Sequence, residues 1–162
     1  MINVNLINSI IKRKLYLCGW NETINYDIND VVETLRKEGY CIFPYAEEIL
    51  HLFLNTEIIF SLSELKKMHA KRSKCYGDIR FNLLDTASGM YEYYNSQSLC
   101  LNENVYPIGS INNCICLLVG ESKRIYVDVK PIPIVLGADI IDFLNNIISY
   151  KKNGFFNLFI KK

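Results

Sequence analysis

The spacing of apolar residues changes once, near residue 56, and that change constrains the fold more than any other feature of the chain. Before it, apolar side chains recur with a helical period. Ile28, Val31, Val32 and Leu35 stand at i, i+3, i+4 and i+7, the stripe with which a helix buries one face. Asp27 is placed to cap that helix and Gly39 to end it. An earlier helix over residues 6–17 is marked by apolar residues at 7, 10, 11, 15 and 17 and stopped by Gly19. A third opens on Pro44, a residue suited to the first helical position, and carries Ala46, Ile49, Leu50 and Phe53. After residue 56 the chain turns to short β-rich runs at 57–62, 79–84, 105–111, 114–119 and 124–129, separated by turn formers. Gly120-Glu121-Ser122-Lys123 joins the last two as a hairpin. Helical spacing returns over residues 138–150, with Ile140, Leu144, Ile147 and Ile148 on one face and Gly137 as the entry. Helices, then a meander of strands, then a helix predict an α+β fold with helices packed on an antiparallel sheet. With 162 residues, 50% of them apolar, the chain reads as a single domain over 1–162, with a core at about 6–150 and a short tail at 151–162.

Charge excludes some partners. Lys and Arg number 18 against 17 Asp and Glu, a formal charge of +1, without the basic field of a dedicated nucleic-acid binder. The total conceals a dipolar chain: residues 19–60 hold eight acids and two bases, residues 61–80 six bases and two acids. No apolar run approaches the roughly 20 residues of a membrane span. Lys12, Arg13 and Lys14 follow the first apolar stretch, the reverse of a secretory signal. The cysteines at 18, 41, 75, 100, 114 and 116 are therefore expected as reduced, mostly buried thiols of a cytoplasmic protein.

The search for catalytic machinery returns little. His51 sits among Leu50, Leu52 and Phe53 and reads as a packed histidine; His69 lies in a basic run and reads as solvated. No local elbow aims a Cys/His pair. Cys114 and Cys116 share a strand face, but their spacing does not suit zinc and no second pair completes a site. Gly109 and Gly120 are isolated, so no phosphate loop is present. No enzyme activity, cofactor, metal, small-molecule substrate or membrane partner is expected. Lys66, Lys67, Lys71, Arg72 and Lys74, followed by Tyr76 and Phe81, combine charge with stacking surface. They leave a nucleic-acid-binding module at 66–81 as the alternative reading, although nucleic acid is the less favoured partner. Tyr91, Tyr93 and Tyr94 form an aromatic cluster; read as a strand, it puts Tyr91 and Tyr93 on one face and Tyr94 on the other. Trp20, beside a glycine at a helix end, reads as a core plug.

The order of landmarks carries a resemblance. Cys18-Gly19-Trp20, then Tyr26-Asp27-Ile28 opening a helix, then Leu35-Arg36-Lys37-Glu38-Gly39-Tyr40-Cys41-Ile42-Phe43-Pro44 and a helix ending Leu50-His51-Leu52-Phe53 resemble the N-terminal half of the third subgroup of SUKH immunity proteins. Val105-Tyr106-Pro107-Ile108-Gly109, a hairpin, and Leu136-Gly137 before a closing helix resemble its second half. The resemblance implies a bacterial α+β protein that is not an enzyme. Such a protein binds and neutralises a cognate toxin domain, often a nuclease or another nucleic-acid-modifying enzyme, by occlusion. The cleft of a nuclease is basic, so carboxylates off the apolar stripes become candidate toxin contacts: Asp30, Glu33, Glu47 and Glu48, with Tyr91, Tyr93 and Tyr94 next.

Overall fold

The computed structural model describes residues 1–60, 77–128 and 133–149. The basic run 66–74, with His69, and Cys75, Tyr76 and the tail 151–162 lie outside the described residues. After a 3-10 turn at Val4–Leu6 come α1 (Ser9–Leu17), α2 (Asn29–Lys37) and α3 (Pro44–Phe53). Next are β1 (Glu57–Phe60), β2 (Gly77–Arg80), α4 (Leu84–Ala87) and α5 (Tyr91–Leu101). Strands β3 (Val105–Ile111), β4 (Ile115–Gly120), β5 (Ile125–Val127) and β6 (Ile134–Gly137) follow, then α6 (Ile140–Ser149). The six strands form one sheet in chain order, each antiparallel to the next. This is the expected α+β fold.

The first two helices stop by the same device. At Gly19 (φ +86°) and Gly39 (φ +110°) the backbone turns left-handed, the conformation that favours glycine. The following N–H then reaches back across the last turn, Trp20 to the Leu15 carbonyl and Tyr40 to the Leu35 carbonyl, each at 3.1 Å. Each stop delivers an aromatic residue to the core. Trp20 is 1% exposed, lies parallel to Phe53 with centroids 6.0 Å apart and donates its indole N–H to the Leu52 carbonyl at 2.8 Å. It is the plug the sequence predicts. Of the α2 stripe, Ile28, Val32 and Leu35 are buried and Val31 is half-buried against the core. Asp27 accepts the Asn29 N–H at 3.0 Å just ahead of the helix.

The sheet centres on β3 and β4. All seven residues of β3 are buried, so both faces are covered there. The register shifts between Pro107 and Gly109, and a Cβ at Gly109 would stand 2.1 Å from the Arg80 carbonyl oxygen. Only glycine allows β2 that close. The 114–119 and 124–129 runs pair as expected, with Leu117 opposite Val127 and Val119 opposite Ile125.

Several expectations need correction. The run 79–84 is a strand only to Arg80; the Leu83 carbonyl takes the Thr86 and Ala87 N–H groups and begins α4. Residues 91–101 are helical, so Tyr91, Tyr93 and Tyr94 do not alternate across a strand. The sequence reading missed β6, because its three apolar residues, Ile134, Val135 and Leu136, run into the α6 pattern. Asp139, not Gly137, starts α6, accepting the Asp142 N–H at 2.8 Å. In α1 the stripe is narrower than predicted: Ile11 and Leu15 are buried while Ile10 and Leu17 are exposed. The cysteines are not mostly buried. Cys18, Cys41, Cys100 and Cys114 are exposed and Cys116 is buried; all five are free thiols. They occupy a helix end, a link, the outer side of α5 and a turn, where nothing covers them. Cys114 precedes β4, so it does not share a strand face with Cys116.

Candidate functional site

The acidic candidates divide into two places. Glu47, in the first turn of α3, and Glu48 line one open groove of about 620 Å³ together with Glu22, His51, Leu52 and Val4. Pro44 fixes where α3 begins, and the helix start favours carboxylates there. Glu48 accepts the Ile2 backbone N–H. Glu22 accepts from Lys12 Nζ at 2.6 Å and from the Tyr16 hydroxyl at 3.0 Å, and the Lys12 contact, with help from Tyr16, holds its carboxyl below the usual range. His51 is part of the scaffold. Its Nδ1 lies 2.8 Å from the Tyr26 carbonyl, a contact that places the proton on Nδ1, and the Tyr26 N–H donates back to the His51 carbonyl. Asp30 and Glu33 are exposed on α2 and do not line this groove; Glu33 pairs with Lys37 at 3.1 Å. Glu22 was not among the residues singled out from sequence. Its membership in the same acidic segment, two residues after Trp20, is the signal that could have found it.

The tyrosines also divide, and for a different reason than alternation. On helix α5, Tyr91 and Tyr94 stand one turn apart and Tyr93 points elsewhere. Tyr94 is 4% exposed and donates its hydroxyl to the Thr86 carbonyl at 3.0 Å; it belongs to the core. Tyr91 is half-buried, edge-on to Tyr40 with centroids 5.3 Å apart. Its ring covers Gly39, where a Cβ would come within 2.9 Å of it. Tyr93 is half-buried and donates its hydroxyl to Asp128 Oδ1 at 2.8 Å; burial and that bond push its phenol up to about 12. Asp128, just past β5, is a second residue that sequence reasoning missed, since one carboxylate in an apolar run gives no pattern.

Other clusters are structural. Glu57 and Asp78 both hold Arg80 Nε, at 2.6 and 2.9 Å, across the first two strands. Burial pushes the Cys116 thiol up to about 12, which leaves it protonated and a poor nucleophile. Among the described residues no group of three or more His, Cys, Asp or Glu side chains could hold a metal ion, and no helix is long and apolar enough to cross a membrane. What the surface offers is a carboxylate groove beside α3 and the half-buried rings of Tyr91 and Tyr93 on α5.

Comparison with known proteins bears on that surface. The family model described as SUKH-3 immunity protein matches residues 8–150, a span running from the cap of α1 to just past α6. No curated protein and no solved structure matches the chain.

Proposed function

Because the chain belongs to the SUKH-3 immunity protein family, we propose that it binds a cognate bacterial toxin domain in the cytoplasm and neutralises it by covering its working surface. The toxin is a nuclease or another nucleic-acid-modifying enzyme, and the immunity protein performs no chemistry of its own. The observation that carries the toxin class is the groove holding Glu22, Glu47 and Glu48 together. An enzyme that grips a polyanion has a basic cleft; Glu22 is paired with Lys12 and Glu48 with the N-terminal ammonium, so Glu47, in no ion pair among the described residues, is the carboxylate that most speeds encounter with such a cleft. Apolar side chains in the same groove, Val4 and Leu52 among them, supply area that is dry once covered.

The test is co-expression. Where a neighbouring reading frame encodes a large secreted protein, its C-terminal domain should kill cells when made alone and spare cells that also make this chain, and the two purified proteins should form a complex. If the chain fails to protect and instead binds single-stranded nucleic acid with a salt-dependent affinity, the immunity reading is wrong and segment 66–81 becomes the active surface.

A further inference from the structure

A second pocket, of about 340 Å³, opens where α4, α5, the β3–β4 turn and the end of β5 meet; Thr86, Met90, Tyr93, Tyr94, Cys116 and Asp128 line it. Asp128 is half-buried there. Tyr93 fixes Oδ1 with a 2.8 Å hydrogen bond, and among the described residues Asp128 has no ion pair and Oδ2 accepts no hydrogen bond. A half-buried carboxylate is stable without a counter-charge only at the expense of lost hydration. This one is oriented by that bond and stands beside aromatic rings: Tyr93 and Tyr94 meet edge to face, with centroids 5.4 Å apart at 68°. No basic side chain lines the pocket among the described residues.

We infer that this pocket takes the guanidinium of an arginine from the bound toxin, with Asp128 as counter-ion and the half-buried ring of Tyr93 as its stacking surface. Arginine suits it better than lysine. Its planar, weakly hydrated head can bond Oδ2 while lying against a ring, whereas an ammonium must give up a tighter water shell to enter beside Met90 and the tyrosines. Asn113 at φ +53° holds the β3–β4 turn in a tight left-handed bend at the rim. The partner in this inference rests on the immunity reading; the pocket's preference for a guanidinium does not.

The experiment therefore has two arms on the full chain. In the first, amide shifts are followed as Nα-acetyl-arginine methylamide is added, with the lysine and citrulline analogues as controls. Saturable shifts at Met90, Asn113 and Asp128 with the arginine probe, at least about 10-fold weaker with the other two, are expected. Asp128→Asn, which keeps an acceptor for Tyr93, should weaken the arginine probe about 10-fold or more. Met90→Lys, at an exposed position, should block the pocket with its own ammonium. Absence of saturable shifts, equal shifts from citrulline or lysine, or unchanged binding in both variants overturns the proposal. The second arm measures protection against the toxin. A parent that protects together with an Asp128→Asn variant that protects and binds toxin equally well overturns the pocket and leaves immunity standing. A parent that binds the arginine probe as above yet protects against nothing sinks the immunity reading instead.

Discussion

Helices α2 and α5 are similar in length and bury their inner faces with different chemistry. α2 turns Val32 and Leu35 inward, with Ile28 just ahead of it, and leaves acids and bases outside. The buried residues of α5 are Tyr94 and Gln97, so its inner face carries a hydroxyl and an amide, while Leu99, 78% exposed, faces out. A helix of the first kind is held by area removed from water. One of the second kind needs its hydrogen bonds made, and α5 makes most of them: Tyr94 to Thr86, Tyr93 to Asp128, and the Val105 N–H to the Ser98 hydroxyl, while Gln97 Oε1 is buried without a partner.

The strongest way to break the comparison is alkali. Burial pushes the phenols of Tyr40, Tyr94 and Tyr106 well above the ordinary tyrosine value, and those of Tyr45 and Tyr93 up to about 12. A phenol whose value is raised by folding is bound as the neutral form, so its contribution is whole below about pH 10 and is lost as pH rises toward and past 12. Absorbance at 295 nm should show the buried set ionising only together with loss of the helical circular dichroism signal. Smooth ionisation of all of them in a chain that keeps its helical signal would show that the α5 interior is wet.

Next in size is a matched pair of leucines. Leu35→Ala in α2 removes a fully buried side chain and should cost about 2–5 kcal/mol in chemical denaturation. Leu99→Ala in α5, 78% exposed, should stay within about 0.5 kcal/mol. A large cost at Leu99 would mean that the outer face of α5 is covered in solution.

These two leucines also mark how much could be read from the sequence. The helices α1, α2, α3 and α6, the two glycine stops, the Trp20 plug and the pairing of β4 with β5 were legible because each follows from apolar period or backbone sterics. α5 was not. Tyrosine suits strands by propensity, and a buried glutamine breaks any apolar stripe, so Tyr91, Glu92, Tyr93 and Tyr94 read as alternation until tertiary contacts decide. The site was half legible for the same reason. Charge density pointed to Glu47 and Glu48, but their gathering with Glu22, and the pairing of Tyr93 with Asp128 across 35 positions, are properties of the packed chain alone.

A finer contrast lies between two buried hydroxyls. Tyr94→Phe strands the Thr86 carbonyl and should cost about 1 kcal/mol. The Tyr106 hydroxyl is buried with no hydrogen-bond partner, so Tyr106→Phe should be neutral or slightly stabilising. Equal losses from both would show that the Tyr106 hydroxyl is satisfied by water.

The smallest expected effect on stability separates the two acidic regions. Asp30 and Glu47 each stand in the first turn of a helix, so replacing either with Lys loses the same favourable interaction with the helix start, a few tenths of a kcal/mol. Each therefore serves as the other's control for folding. They differ in surroundings: Glu47 shares its groove with Glu22 and Glu48, whereas Asp30 stands on the open side of α2. If the groove meets the toxin's basic cleft, Glu47→Lys puts a cation among the carboxylates that steer the encounter. Its association rate, measured by stopped flow at low ionic strength, should fall about 5-fold and depend less on salt. Asp30→Lys should change that rate less than Glu47→Lys does, and the difference should widen as salt is raised to about 0.1 M, where the Debye length falls to roughly 10 Å and charges outside the interface are screened. The reverse ranking would move the interface from the α3 groove to the outer face of α2, where Glu33 and Lys37 already form an ion pair that a partner would have to break.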